Sequence, residues 1–273
     1  MLPRLIEIGP LTFYSFGLMV VLGFILAVLL AARLARLRGL PGDAFLDGAV
    51  LILFASIAGA RLTYVALNWE EFVRSPAGIG AMWQGGMTSV GGIAAGILTG
   101  ALYMRWKGIS VLAMADAAAP ALGLGTAIGR IGCLLNGCCY GTSTDLPWGI
   151  PGKFLHGADP GFHYHPAQVY DGALNALLMV LLIVAYLRPH RTGQVMALYL
   201  GGYSFFRFLV ESLRKGVTAD VLAFGLTEAQ VFTLVMMLAA AAWWAWLQRH
   251  GRPAPPLVAK SPGEPTPEAA AGV

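Results

Sequence analysis

The sequence predicts an all-α polytopic membrane protein: about seven transmembrane helices, with an extracytoplasmic cap between helices 4 and 5. Three observations predict it. Of the 273 residues, 57% are hydrophobic and only 12% are charged, with a mean hydropathy of +0.68. A soluble fold of this size carries about twice that charge, so soluble enzyme, nucleic-acid binder and disordered chain are all excluded as classes. The apolar residues also fall into seven runs, each near the ~20 residues that cross a bilayer. Finally, the cations between the runs alternate between rich and poor connectors, as the positive-inside rule requires. The net charge of +4 therefore reads as a cytoplasmic excess rather than as a nucleic-acid footprint.

In chain order the runs cover residues 13–35, 44–66, 88–104, 111–131, 169–187, 195–213 and 230–247. Arg33 near the end of the first run and Arg36 and Arg38 just after it lie before the second; Arg105 and Lys107 follow the third, Arg188 and Arg191 the fifth, and Arg249 and Arg252 the seventh. The intervening connectors are poorer in cations. One holds Arg74 with Glu70 and Glu71, the next Lys153 with Asp145 and Asp159. Arg214 and Lys215 before Asp220 run against the trend. The pattern places the N-terminus outside and the C-terminus in the cytoplasm.

The first run is too long for a signal-peptide core and no small-residue cleavage site follows it, so no secretory signal is expected. Residues 1–251 form the membrane domain in this reading. Residues 252–273, rich in Pro, Ala and Gly, form a disordered cytoplasmic tail. The connector at 133–168 is the longest, carries His156, His163 and His165, and on this topology faces outward. No internal repeat is evident. Gly92, Gly96 and Gly100 recur every four residues, as do Gly125 and Gly129, which suits close helix approach in lipid. A phosphate-binding glycine loop is excluded, because the spacing is wrong and no strand precedes it.

Charges stranded in apolar sequence carry the functional information: Arg61, Asp116, Arg130, Arg207 and Glu211. Each costs at least ~2.5 kcal/mol at the bilayer centre and so needs a partner or a wet cavity. Arg207 and Glu211 can pair one helical turn apart, and Asp116 can neutralise a second arginine. One of the three guanidiniums then stays unbalanced, and an anionic phospholipid head group near the outer leaflet completes it, guanidinium being suited to bidentate phosphate contact. Tyr203, Arg207, Glu211 and Arg214 form one stripe of a helix. Asp116 and Arg130 lie two heptads apart and share a face unless Pro120 kinks the helix. Arg130 stands two residues before the Gly- and Cys-rich turn GCLLNGCCYG, a candidate anion cradle.

At this point a family resemblance emerges. Gly129-Arg130-Ile131-Gly132, followed by Asn136-Gly137 and Gly141, resembles the signature of the bacterial prolipoprotein diacylglyceryl transferases. So do Ile8-Gly9-Pro10 before Gly17-Leu18-Met19, Gly85-Gly86-Met87 before Gly91-Gly92, and Asp116 four residues before Pro120. Further along, the similarity extends to His165-Pro166-Ala167-Gln168-Val169-Tyr170, to Phe206-Arg207 and to Val210-Glu211. The blocks span roughly Ile8 to Arg214.

The resemblance implies a bacterial inner-membrane enzyme of lipoprotein maturation. Such an enzyme transfers the diacylglyceryl group of phosphatidylglycerol to the lipobox cysteine of a prolipoprotein and releases glycerol phosphate. Its partners would be phosphatidylglycerol, the lipobox segment and surrounding lipid; it implies no cofactor and no resident metal. Arg130 and Arg207 match the family's essential arginines and would hold phosphate, Glu211 would orient Arg207, and Asn136 would contact the head group or backbone in the turn. Arg61, Gly91, Gly92, Tyr14, His165 and Arg214 are further candidate substrate contacts. The chain departs from the family at Val90, where His is usual, at Phe16, where Tyr is usual (Tyr14 stands two residues earlier), and at Cys133 and Cys138, where Asn and Glu are usual. Tyr14, His165 or Glu211 could take over a missing proton acceptor. Cys133, Cys138 and Cys139 admit several readings: small residues packing a turn, a disulfide from Cys133 to Cys138 or Cys139, a metal site with His165, or a covalent relay of the lipid. The alternative function is that of a divergent paralogue that binds or moves an anionic phospholipid, or passes its lipid moiety to another acceptor.

Overall fold

The computed structural model describes residues 4–8, 11–74, 76–80, 85–214 and 225–258. Among the described residues every expected apolar run is a helix. These are α1 (Ser15–Leu37), α2 (Asp43–Leu67), α4 (Ser89–Trp106), α5 (Val111–Asn136), α6 (Ala167–Leu187), α7 (Gln194–Ser212) and α8 (Glu228–His250), with a short α3 (Trp69–Arg74) after α2. Five of them, α1, α2, α5, α6 and α8, are long and apolar enough to cross a membrane. The other two long helices have visible reasons to fall short: α4 is rich in glycine, and α7 carries Arg207 and Glu211 within its last turns.

The all-α expectation needs one amendment. An antiparallel hairpin of β1 (Arg4–Ile8) and β2 (Leu11–Tyr14) precedes α1, with Glu7 opposite Thr12 and Ile8 opposite Leu11. Apolar residues at 13 and 14 extend the hydropathy run into a strand, so α1 starts at Ser15. A second, two-stranded piece pairs β3 (Ile150–Pro151) with β4 (His163–Tyr164) inside the long connector. There Tyr140, Leu155 and Tyr164 form a small core of their own. The Tyr140 hydroxyl donates to the His156 carbonyl (3.0 Å), and burial raises its pKa, which keeps it a neutral donor.

The helices pack chiefly as α1 on α5, α2 on α4, α5 on α6 and α7 on α8. The α2–α4 contact is built on glycine. A Cβ at Gly91 would lie 2.1 Å from Thr63 Oγ1, one at Gly59 would lie 2.3 Å from the Ala95 Cβ, and one at Gly96 would lie 2.5 Å from Ser56 Oγ. In lipid no hydrophobic drive holds helices together, so close backbone approach and dispersion must do so. Gly125 likewise sits near Ala27 and Gly23 of α1, whereas Gly129 faces open space and takes no part in packing. Large apolar side chains such as Phe54, Ile97, Leu181 and Phe232 point outward, a surface that only hydrocarbon can solvate.

The densest core lies at one end of the bundle, where Ala35, Met104, Met114, Ala117, Leu182 and Val195 meet. Asp116 belongs to this end. Among the described residues it forms none of the ion pairs with Arg61, Arg130 or Arg207 that the sequence suggested; Arg38 acts on it electrostatically and His190 Nε2 lies 3.6 Å away. Its carboxylate accepts from the backbone N–H groups of Gly193 (2.6 Å) and Met196 (2.9 Å), which the start of α7 leaves without helical partners. Fourteen helical residues put Asp116 about 21 Å from Arg130 along α5. Arg38 is also buried here and donates to the carbonyls of Tyr186, Arg188 (2.9 Å) and Pro255, closing the C-terminal end of α6. Residues 252–258 of the expected tail therefore lie against the bundle: Thr192 N–H donates to the Arg252 carbonyl (2.9 Å) and Val258 N–H to the Leu37 carbonyl (2.8 Å). The remainder of that tail, 259–273, falls outside the described residues.

Candidate functional site

At the opposite end, the C-termini of α5 and α7 meet the N-terminus of α6, with the long connector across them. Arg130 lies two turns before the end of α5, and its Nη2 pairs with Asp171 Oδ2 at 2.7 Å. Asp171 sits in the second turn of α6, and its other oxygen accepts from Asn175 Nδ2 at 2.7 Å. Both Asp171 and Asn175 are fully buried. Gly172 permits this approach, since a Cβ there would already stand 3.3 Å from the Arg130 Cβ.

One turn apart on α7, Arg207 Nη2 pairs with Glu211 Oε2 at 2.7 Å. Arg214 Nη1 reaches the same oxygen at 3.1 Å. Arg130, Arg214 and Asp171 all act electrostatically on Arg207, so the two ion-pair groups form one cluster. Among the described residues it holds three guanidiniums and two carboxylates. The sequence reading counted the same ratio with different members: Arg214 and Asp171 take the places assigned to Arg61 and Asp116. The Arg207 Nη1 is buried and has no hydrogen-bond partner among the described residues. A buried donor left so costs about 1–3 kcal/mol, more when charged, unless a ligand meets it.

The connector is fastened to this cluster. Helix α5 ends at Gly137 in the left-handed conformation (φ +72°), with Cys138 N–H returning to the Cys133 carbonyl at 3.1 Å. Thr142 N–H then donates to the Leu213 carbonyl at 2.6 Å, and Gly141 N–H to the His165 carbonyl at 2.9 Å. Gly141 has no room for a side chain: a Cβ would stand 2.8 Å from the Leu213 oxygen. This contact places the signature turn beside Arg214. The three cysteines are free thiols, so the disulfide reading is not realised. Their sulfurs lie within 4.8 Å of one another, a group that does not include His165. Arg214 and Arg130 both act electrostatically on Cys139.

The structure thus brings Arg130, Arg207, Glu211, Arg214 and the cysteine turn together, with half-buried Asn136 as the last residue of α5. Other candidates lie apart. Arg61 donates to the carbonyls of Ile79 (2.9 Å), Gly86 (2.9 Å), Gly85 and Gly78, and its guanidinium faces the rings of Tyr64 and Phe72. It anchors the segment after α3 with four of its five N–H donors. Gly91 and Gly92 face α2, which fills the space a substrate would need on that side. Tyr14 is exposed at the start of α1. His165 Nδ1 lies 3.4 Å from the Tyr170 hydroxyl, which also accepts from Trp148 Nε1 at 2.8 Å. Val90, where the family's usual His stands, is exposed. Sequence reasoning missed Asp171, Asn175 and Gln168. Asp171 met the test applied to the other stranded charges, and Asn175 one turn later completes a polar stripe in apolar sequence.

Beside the cluster, Leu134, Trp148, Ile150, Phe154, Val169 and Tyr170 line an apolar recess of about 620 Å³. The same end of the bundle thus carries a cluster of guanidiniums and an apolar groove. Comparison with known proteins gives that arrangement a family. The family model for prolipoprotein diacylglyceryl transferase matches residues 3–246. The chain belongs to the prolipoprotein diacylglyceryl transferase family. Proteins named phosphatidylglycerol–prolipoprotein diacylglyceryl transferase are similar to it over most of their length. That of Synechococcus elongatus is 33% identical over 94% of this chain and 91% of its own. That of Gloeobacter violaceus is 36% identical over 91% and 93%, and that of Geobacter sulfurreducens 36% over 78% and 82%. The blocks that resemble the prolipoprotein diacylglyceryl transferases around Arg130, Gly141, His165, Arg207 and Glu211 converge at the connector end. Family and helices together make the chain a multi-pass membrane protein.

Proposed function

We propose that this chain transfers the diacylglyceryl group of phosphatidylglycerol to the lipobox cysteine of a prolipoprotein. The carrying observation is the convergence of Arg130, Arg207 and Arg214 at the connector end, with Arg207 Nη1 buried and without a hydrogen-bond partner among the described residues. The acceptor's thiolate attacks the glycerol carbon that bears the phosphate ester. A carbon–sulfur bond forms, the carbon–oxygen bond breaks, and the electron pair leaves with glycerol phosphate. Arg130 and Arg207 hold the phosphate and stabilise the charge that grows on it. Asp171 and Glu211 orient these two guanidiniums, Arg214 supplies further positive field, and Asn136 meets the head group at the end of α5. The apolar recess beside the turn takes an acyl chain or the apolar lipobox flank. The acceptor sulfur must be deprotonated to react. Glu211 Oε2 is already shared by two arginines, so among the earlier candidates we assign the proton to His165, beside Tyr170.

Seven transmembrane spans, an outside N-terminus, a cytoplasmic C-terminus and an extracytoplasmic cap at 137–166 complete the proposal, in the bacterial inner membrane. The cationic connectors support the orientation. It also places the arginine cluster at the outer face, where a prolipoprotein presents its lipobox. Residues 1–251 form the transferase domain, and 252–273 form a tail on the cytoplasmic side.

The test incubates purified protein with phosphatidylglycerol and a lipobox peptide and reads the diacylglyceryl adduct by mass spectrometry. Wild type is expected to form it, and Arg130→Ala and Arg207→Ala each to lose on the order of 10²–10³-fold or more, as when a donor to a developing anion is removed. Undiminished turnover in either variant removes that arginine from the phosphate site. Exposed Val90, which offers no titratable group, favours a second reading in which the protein binds or moves an anionic phospholipid without transfer. Phosphatidylglycerol retention with no adduct supports that second reading.

A further inference from the structure

Beside the ion-pair cluster stands a second group of chemistry-bearing side chains that the transfer reaction does not use. Cys133, Cys138 and Cys139 are all free, and their three sulfurs lie within 4.8 Å of one another. We propose that this trio is a thiolate site for a thiophilic d¹⁰ cation, of which Zn(II) and Cd(II) are the probes.

Geometry supplies the first argument. Metal–sulfur bonds of about 2.3 Å put sulfurs sharing a zinc ion about 3.8–4.0 Å apart. Side chains already within 4.8 Å reach that spacing by small χ1 adjustments. The backbone supplies the second. Among the described residues Cys139 is the one non-glycine with a positive φ, +63°. A side chain that merely filled space would leave that position to glycine or asparagine; a cysteine held there points to its thiol. The turn is also fixed from outside. Gln168 Nε2 donates to the Cys138 carbonyl at 2.6 Å, and Cys138 N–H is bonded to the Cys133 carbonyl. Metal sites are steadied by such outer hydrogen bonds.

Charge supplies the third. Three thiolates around a divalent cation carry one net negative charge, and Arg130 and Arg214 face Cys139 with the opposite sign. The binding balances without any redox partner: the cation enters, three sulfur–hydrogen bonds release three protons, and three metal–sulfur bonds form. Thiolate ligation selects soft and borderline ions over magnesium and calcium. Three protein ligands leave a fourth tetrahedral position for water.

The test uses the full chain purified in detergent without chelator. The chain contains three cysteines in all, so any metal–thiolate signal arises from this trio. Added Cd(II) is expected to bind one ion per chain and to raise an ultraviolet thiolate-to-metal band with the intensity of three thiolates. Zn(II) should displace it, and Mg(II) should not. Cys139→Ser should reduce the band to two thiolates or fewer and weaken binding at least tenfold. If that variant does not fold, wild-type protein alkylated at its thiols after purification takes its place, and is expected to bind no Cd(II). No band, a band no stronger than that of two thiolates in wild type, or a thiol assay showing a disulfide in protein isolated without reductant would overturn the proposal. These readouts do not depend on transfer activity, so they stand apart from the fate of the proposed function.

Discussion

Asp171 shows how much one side chain can decide. It is buried at the start of α6, bonded on one oxygen by Asn175 and paired on the other with Arg130. Removing one partner of a buried pair costs about 3–5 kcal/mol, because the other charge is left uncompensated. Asp171→Ala is therefore expected to lower stability by about that amount in denaturation in detergent, and transfer activity with it. Asp171→Asn keeps the shape and one acceptor oxygen for Asn175 but loses the charge and the acceptor that faces Arg130, so it should retain more stability than the alanine while still releasing Arg130 from its position. Equal stability of Asp171→Ala and wild type would show that the pair does not hold α5 to α6.

Helix contact in this molecule depends on where glycine leaves room. At Gly59 a new methyl would meet the Ala95 Cβ at 2.3 Å and the Gly91 carbonyl at 2.8 Å, and neither can swing away. Gly59→Ala should push α2 from α4 and cost about 1–3 kcal/mol, the usual range for overpacking. Gly129→Ala meets nothing within 4 Å and should be neutral or add up to about 1 kcal/mol through helix propensity. Thermal unfolding of the two variants side by side checks the contrast. Gly141→Ala belongs with the first: its methyl would collide with the Leu213 carbonyl and separate the signature turn from Arg214.

Across the whole molecule the two ends have different tasks. The end with Asp116 and Arg38 is densely packed and closed by backbone hydrogen bonds, while the connector end keeps charged side chains beside an open recess. Rigid packing at one end lets the other hold ionised groups in place without being filled itself. The chain after α8 belongs to the closed end, through Arg38, Thr192 and Leu37. A chain ending at Gly251 is expected to be about 1–3 kcal/mol less stable than one ending at Val258, since Arg38 then loses a buried acceptor. Denaturation midpoints of the two truncations measure the difference.

The helices were legible in the sequence because hydropathy over about twenty residues is a local property and lipid penalises any unsatisfied backbone. The stripe from Tyr203 to Arg214 was legible for the same reason, since a helix fixes its spacing. The N-terminal hairpin was hidden because strand pairing links residues whose apolar run looks helical from one side alone. Which arginine meets which carboxylate was hidden too. Asp116 and Asp171 are alike as letters, and only the packing of α5 against α6 and α7 turns one toward a helix start and the other toward Arg130. Sequence alone settled the solvent and the long helices. Tertiary structure decided the pairing of charges, because electrostatic partnership depends on distances that the chain order does not contain.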